Sequence, residues 1–280
     1  MKFLSEINTV PARLFNKFAG FQKGAVNRIR LTWPAVFGLP VETNLMQLYR
    51  EDSEFSTWID ISNYASFFAA YDGVKVEFIL TAYDREGEEL GVAAVNLDAF
   101  QSLKTRLSSH VPGLDHYGIF TVNAKLWAND FSQIQFLLET SPQFMTCFIP
   151  RKADLSLQMI HSHKTLDSYL SIKKPNVRVS RVTENLSEME ELSIFVLNSS
   201  SHEVQSQLRV QSFAGGILFQ SGFALPPKGV HHLTWRPTAA VREGNDLFCF
   251  YEFSYDRVIN HRKPIVFRRF KDGSVSANHT

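Results

Sequence analysis

From Val74 onward the sequence is a series of short runs rich in Val, Ile, Phe and Tyr, separated by turn-forming residues. Apolar and polar residues alternate within these runs, as in Val74, Val76, Phe78 and Leu80, which would all share one face of a strand. The separators Asp-Arg-Glu-Gly, Val-Pro-Gly, Pro-Pro-Lys-Gly and Lys-Asp-Gly are typical of turns. The pattern predicts an all-β protein built of short antiparallel strands.

A second set of runs resembles the first and predicts an internal duplication. At an offset of 116, the apolar residues Val76, Phe78 and Leu80 align with Leu192, Ile194 and Val196, and Gly113 and His116 align with Gly229 and His232. At an offset of 118, polar identities join the match: Arg151, Asp154, Ser156 and His161 align with Arg269, Asp272, Ser274 and His279. His161 and His279 would then end equivalent strands.

The length of 280 residues favours two domains, since one domain usually takes about 100–150 residues. We therefore expect a basic amphipathic N-terminal extension over 1–34, a first β-sandwich domain over 35–170 and a second over 171–280. Both domains would be Ig-like or jelly-roll-like. One large sandwich is the alternative.

The N-terminal extension is basic, with one acidic residue, Glu6, among its first 34 residues. As a helix from Pro11, it would place an apolar stripe opposite its basic residues; the stripe comprises Leu14, Phe15, Phe18, Phe21, Ala25 and Ile29. One interpretation is a targeting peptide or an anchor in weak contact with a membrane surface. The favoured one is a helix packed against the body through Leu14, Phe18 and Phe21.

Charge and composition exclude several classes of function. The formal net charge of +1 provides no general field for nucleic acid, so no nucleic-acid partner is expected. No apolar stretch is long enough for a membrane span, and Met1–Glu6 does not begin a signal peptide, so a cytoplasmic location is the default. The separate Cys147 and Cys249 do not indicate a disulfide framework.

The sequence lacks the common catalytic motifs GxSxG, GxGxxG, HExxH and the P-loop. We therefore expect a non-enzymatic recognition protein for an unknown saccharide or protein, with no cofactor. Trp58, Trp127 and Trp235 are the candidate ligand-binding residues, because an exposed indole beside a turn can stack on a sugar ring. The alternative for each is a half-buried place in the core.

A second hypothesis is a metal-dependent enzyme. His161 and His163 alternate, so on one strand they would present two imidazoles to one divalent metal ion, and Asp167 could add a carboxylate. This His-x-His-x-x-x-Asp pattern resembles the first metal motif of the cupin family.

The stretch from Pro227 to His232 resembles part of the second cupin motif, Pro-x-Gly-x-x-His. The resemblance implies a single divalent metal held by His161 and His163, with Asp167 or His232 completing the ligands. Several positions depart from the cupin pattern: the glycine before the first motif is missing, Asp167 replaces Glu, and Arg236 replaces Asn. The competing interpretation makes His161 a structural residue at a strand end.

Overall fold

A computed structural model describes residues 38–134, 144–152, 156–161, 163–164, 176–180, 186–212, 214–239, 241, 249–256 and 264–279. The predicted N-terminal helix over 1–34 therefore lies outside the described residues. Within them the protein is all-β: seventeen strands form four antiparallel sheets, joined by short turns and one α-helix, α1 (Tyr64–Ala69). No helix in this part of the chain is long and apolar enough to cross a membrane.

The first eight strands form two sheets, which we call the first unit. They are β1 (Val41–Glu51), β2 (Phe55–Ser62), β3 (Val74–Tyr83), β4 (Glu89–Leu97), β5 (Ser102–Arg106), β6 (His116–Ala128), β7 (Met145–Pro150) and β8 (Gln158–His161). Sheet 1 has the order β4-β3-β6-β1, extended by β9 (His163–Lys164) beside β1, and sheet 2 has the order β5-β2-β7-β8.

The next eight strands form the second unit. They are β10 (Asn176–Ser180), β11 (Met189–Leu197), β12 (Val204–Ser212), β13 (Ile217–Leu225), β14 (Val230–Trp235), β15 (Cys249–Tyr255), β16 (Ile265–Phe270) and β17 (Val275–His279). Sheet 3 has the order β13-β12-β15-β10, and sheet 4 has the order β14-β11-β16-β17. If the eight strands of each unit are numbered in chain order, sheet 3 has the same strand order as sheet 1, and sheet 4 has the same order as sheet 2.

Every second side chain of β3 belongs to the first core, as the sequence predicts. Val74, Val76, Phe78 and Leu80 are buried, whereas Lys75 between them is exposed. Their cluster includes residues of sheets 1 and 2, so these two sheets enclose one core. A second cluster is enclosed by sheets 3 and 4 in the same way.

A third apolar cluster joins the two units. Its members come from both units: Met46, Leu48, Phe55, Ile119, Phe148 and Ile160 from the first, and Phe195, Leu197, Val230, Ile265, Phe267 and Val275 from the second. Sheet 4 therefore contributes to two cores, because its strands also enclose the second cluster. Strands that are buried on both faces have continuous apolar runs, which explains Ile194–Leu197 in β11 and Ile265–Phe267 in β16.

The sequence alignment at an offset of 116 is wrong about which strands correspond. It matches β3 with β11, but β3 pairs with β4 and β6 in sheet 1, whereas β11 pairs with β14 and β16 in sheet 4. His116 lies on β6 and His232 on β14, so they occupy different places. Strands with a period of two align readily at several offsets, which explains the error.

The strand orders match β3–β4 with β12–β13 instead, at an offset of 128. The matched residues include identical pairs at Val76 and Val204, Leu80 and Leu208, Gly87 and Gly215, and Leu97 and Leu225. At the other end of each unit, β8 and β17 are the last strands of their sheets, and His161 and His279 end them.

Candidate functional site

The three candidate tryptophans lie in different environments. Trp235 is 6% exposed within the core of the second unit, so its ring has no face open to a ligand. Trp58 is half-buried on β2, opposite Arg106 and Cys147 on the neighbouring strands. Trp127 is half-buried near the end of β6 and lines an open cavity. Only Trp127, among these three, combines a partly exposed ring with a described cavity.

The Trp127 cavity lies where β3 begins and β6 ends, with a volume of about 320 Å³. Its lining comprises Gly38, Leu39, Asp72, Gly73, Lys75, Trp127, Ala128 and Asn129. Lys75 is the direct cross-strand partner of Trp127, so the two side chains share one face of sheet 1. The Asn129 N–H donates to the Gly73 carbonyl at 2.9 Å and holds the two sides of the cavity together.

The cavity offers an aromatic wall with several polar groups beside it. Asp72 supplies a carboxylate, Lys75 an ammonium group and Asn129 an amide, and all three residues are exposed. The Lys75 Nζ lies 3.8 Å from Asp98 Oδ1, and both side chains remain accessible to water. An indole beside hydrogen-bonding groups of both kinds suits a ligand with one apolar face and a polar edge.

The structure separates the two histidines that were predicted to share a strand. His161 ends β8 in sheet 2, opposite Met145, while His163 begins β9 in sheet 1, opposite Met46. The alternation argument therefore fails, because it holds only within one continuous strand. The described hydrogen bond at His161 uses its backbone carbonyl, which accepts from Gln47 Nε2 at 2.9 Å. Asp167 lies outside the described residues.

His232 packs as an aromatic ring between the two units. Its imidazole stacks on Phe195, with ring centres 4.3 Å apart, and its edge contacts Tyr117 at 5.4 Å. Burial, with a contribution from the positive charge of Arg50, lowers the pKa of His232 to about 4, so the ring is neutral near pH 7. Among the described residues, no group of three or more His, Cys, Asp or Glu side chains is arranged to hold a metal ion.

Charged side chains meet at the contact between the units. The Arg50 guanidinium lies over Phe55 and Phe267, 4.6 and 4.4 Å from their ring centres. It pairs with Asp52 at 2.7 Å and with Glu54 at 3.3 Å. These aromatic and ionic contacts compensate for taking the charge out of water, so the cluster has a structural role.

An exposed aromatic surface was missed by the sequence analysis. It consists of Phe67 and Phe68 on α1 and Phe100 in the turn between β4 and β5, with exposures of 49%, 73% and 48%. We call it the phenylalanine face. Phe67 and Phe100 are in edge contact, with ring centres 5.8 Å apart. The sequence signal is the pair Phe67–Phe68, which looks like core sequence until the helix is placed.

Comparison with known proteins identifies no family for this chain. No protein-family model matches the chain, and no curated protein does. Among solved structures, a protein from Parabacteroides distasonis proposed to be secreted is 9% identical, with 79% of this chain and 76% of that chain covered and a TM-score of 0.23. A β-glucuronidase from Bacteroides uniformis is 8% identical, with coverages of 85% and 26% and a TM-score of 0.19. The chain thus spans about a quarter of that enzyme. Likenesses at these TM-scores carry no argument about function.

Proposed function

We propose that this chain is a non-enzymatic recognition protein that binds a saccharide in the Trp127 cavity. The observation that carries the proposal is the half-buried indole of Trp127 beside the carboxylate, ammonium and amide groups of Asp72, Lys75 and Asn129. A sugar ring has C–H groups on its faces and hydroxyls around its rim. The indole would stack on a ring face while the polar groups exchange hydrogen bonds with the hydroxyls.

The size of the cavity is consistent with a short saccharide. Its volume of about 320 Å³ is near the lower end of typical ligand sites, which start at about 300 Å³. Because the cavity is open on one side, a longer chain could enter with one or two rings in contact with Trp127.

We also propose that the two units are β-sandwiches descended from one ancestral domain by duplication. The identical strand orders support this, as do the two core clusters, each enclosed by a pair of sheets. The turns between the third and fourth strands of the two units also have corresponding hydrogen bonds. In one, the Gly87 N–H donates to the Asp84 carbonyl at 3.2 Å, and in the other the Gly215 N–H donates to the Ser212 carbonyl at 3.0 Å. Duplication would give a scaffold on which one unit recognises a ligand while the other supports it.

A glycan array probed with the purified chain tests the function. We expect binding to a restricted set of glycans, and loss of at least about 90% of that signal in Trp127→Ala, because the stacking surface is removed. The matched control is Trp58→Phe, which changes another half-buried tryptophan away from the cavity and should bind normally. An array without any signal, or one on which Trp127→Ala binds like the unchanged chain, would reject the proposal.

A further inference from the structure

The two units contact each other partly through a hairpin turn of the first unit. The turn between β3 and β4 lies against the turn between β13 and β14, where the Val230 N–H donates to the Arg85 carbonyl at 2.9 Å. Gly87 meets the Pro227 carbonyl so closely that a Cβ atom at Gly87 would overlap it. The end of the second unit that includes Pro226–Val230 therefore receives a hairpin.

At the corresponding end of the first unit, Phe67, Phe68 and Phe100 remain exposed within the part of the chain that the structure describes. Residues 98–101 correspond there to 226–229, and both turns have a positive φ at the third residue, 60° at Phe100 and 55° at Lys228. Phe100 and its neighbours on α1 form the phenylalanine face. An exposed group of large aromatic side chains on such an end is typical of a contact surface.

Within the described residues, the second unit has an exposed hairpin equivalent to the one that docks. The Asp84 N–H donates to the Glu88 carbonyl at 2.9 Å, and the Ser212 N–H donates to the Gly216 carbonyl at 2.8 Å in the same way. Gly87 and Gly215 have φ values of 90° and 86°. The turn of this exposed hairpin ends at Ile217, the first residue of β13, which is 58% exposed.

The two hairpins differ in the charge of their turn residues. The hairpin that docks within the chain has four acidic residues and one arginine over 84–89, and the turn that receives it includes Lys228. The equivalent turn of the second unit, over 212–217, has the sequence Ser-Phe-Ala-Gly-Gly-Ile and no charge. The hairpin that docks inside the chain is therefore charged, whereas the equivalent turn of the second unit is uncharged and the phenylalanine face is aromatic.

We propose that the β12–β13 hairpin of one copy of this chain docks on the phenylalanine face of a second copy, so that copies join head to tail. Ile217 would pack against Phe68 and Phe100. Gln101 stands where the second unit has Gly229, so side chains rather than closely approaching backbones make this contact. Such an interface joins two different surfaces and leaves one of each free, which allows rings or longer chains.

Sedimentation of the full chain at loading concentrations from about 5 to 500 µM tests the proposal, since this range covers weak association. We expect the average mass to rise with concentration. Phe68→Glu and Ile217→Glu should each raise the dissociation constant at least tenfold by placing a charge in an apolar contact. Val92→Glu is the matched control, because Val92 is a 56% exposed apolar residue on β4, outside both surfaces, and it should associate normally.

Mixing the two variants gives the decisive result. Phe68→Glu retains the hairpin and Ile217→Glu retains the phenylalanine face, so an equimolar mixture should form dimers and stop there. Each variant alone should associate at least tenfold more weakly than the unchanged chain. A full chain that stays monomeric throughout the range, variants that associate like the unchanged chain, or a mixture without dimers would overturn the proposal. Neither substitution touches the cavity lining, so saccharide binding would be judged separately.

Discussion

Asn63 and Asn198 make corresponding hydrogen bonds in corresponding places of the two units. The Asn63 Nδ2 donates to the carbonyls of Leu97 and Asp98 at 3.5 and 3.1 Å. The Asn198 Nδ2 donates to those of Leu225 and Pro226 at 3.2 and 2.9 Å. Each asparagine follows the second strand of its unit and is fully buried, so it joins that strand to the turn after the fourth strand.

Replacement of either asparagine by alanine should destabilise the protein by about 2–3 kcal/mol, because buried carbonyls would lose their donor. Asn63→Asp should cost at least as much at neutral pH, since it keeps the shape but directs a carboxylate oxygen at carbonyl oxygens. Urea unfolding gives these values. Asn96→Ala, at an exposed position on β4, is the control and should change stability by less than about 0.5 kcal/mol. Tolerance of Asn63→Asp without loss would show that the amide donor is unimportant.

The stability of the protein should fall as the pH is lowered below the ordinary pKa of histidine, partly because of His232. Its pKa in the folded protein is about 4, below the usual 6.5, so the unfolded chain binds the proton more tightly. The stabilising contribution is complete above about pH 6.5 and is lost progressively toward pH 4. Between pH 7 and 5 the loss should be about 1–2 kcal/mol.

Denaturant unfolding at pH 7 and 5 checks the role of His232. His232→Phe keeps the stacking on Phe195 but removes the titrating group, so its stability should vary less with pH than that of the unchanged chain. His116→Gln changes a histidine whose side chain is 73% exposed and should leave the pH dependence intact. Equal pH dependence in the unchanged chain and in His232→Phe would contradict the burial of a neutral imidazole.

Arg50→Lys should destabilise the contact between the units although it keeps the charge. A lysine cannot match the planar stacking on Phe55 and Phe267 while it also pairs with Asp52 and Glu54. We expect a loss of about 1–2 kcal/mol for the lysine and about 3 kcal/mol or more for Arg50→Ala, which removes the ionic partner of Asp52 and leaves Glu54 with Arg269 alone. Thermal unfolding measures both. Equal stability of all three chains would show that the cluster contributes little.

Lys75→Gln and Asp72→Asn should each weaken saccharide binding by about tenfold, which corresponds to the loss of one charge-assisted hydrogen bond. The control is Lys125→Gln, because Lys125 lies on the same strand as Trp127 but outside the cavity lining. Isothermal titration calorimetry provides the affinities. Equal losses in Lys125→Gln and Lys75→Gln would indicate a general charge effect rather than contacts in the cavity.

The sequence predicted the strand class well where one face of a strand is buried. β3 shows this, because its alternation at Val76, Phe78 and Leu80 follows directly from burial on one side. It predicted the matching of strands poorly at β11, which is buried on both faces and has a continuous apolar run from Ile194 to Leu197. Strand pairing is decided by tertiary contacts that a period-two pattern does not encode.

The candidate site could be predicted only in part, for a similar reason. Trp127 and Trp235 both lie near strand ends in the sequence, and only their tertiary positions distinguish a cavity wall from a core residue. His161 and His163 alternate in the sequence, yet their strands pair in different sheets. Asn63 and Asn198 carried no motif, because their equivalence depends on carbonyls about 30 residues away along the chain.

The most direct test of the central claim is the indole N–H region of a ¹H–¹⁵N NMR spectrum recorded during titration with a glycan from the array. The chain contains four tryptophans, and the signal missing in Trp127→Phe identifies the cavity residue. Our account predicts that this signal shifts in a saturable way while that of the buried Trp235 stays in place. Saturable shifts confined to Trp58 or Trp235, with the Trp127 signal unchanged, would contradict binding in the Trp127 cavity.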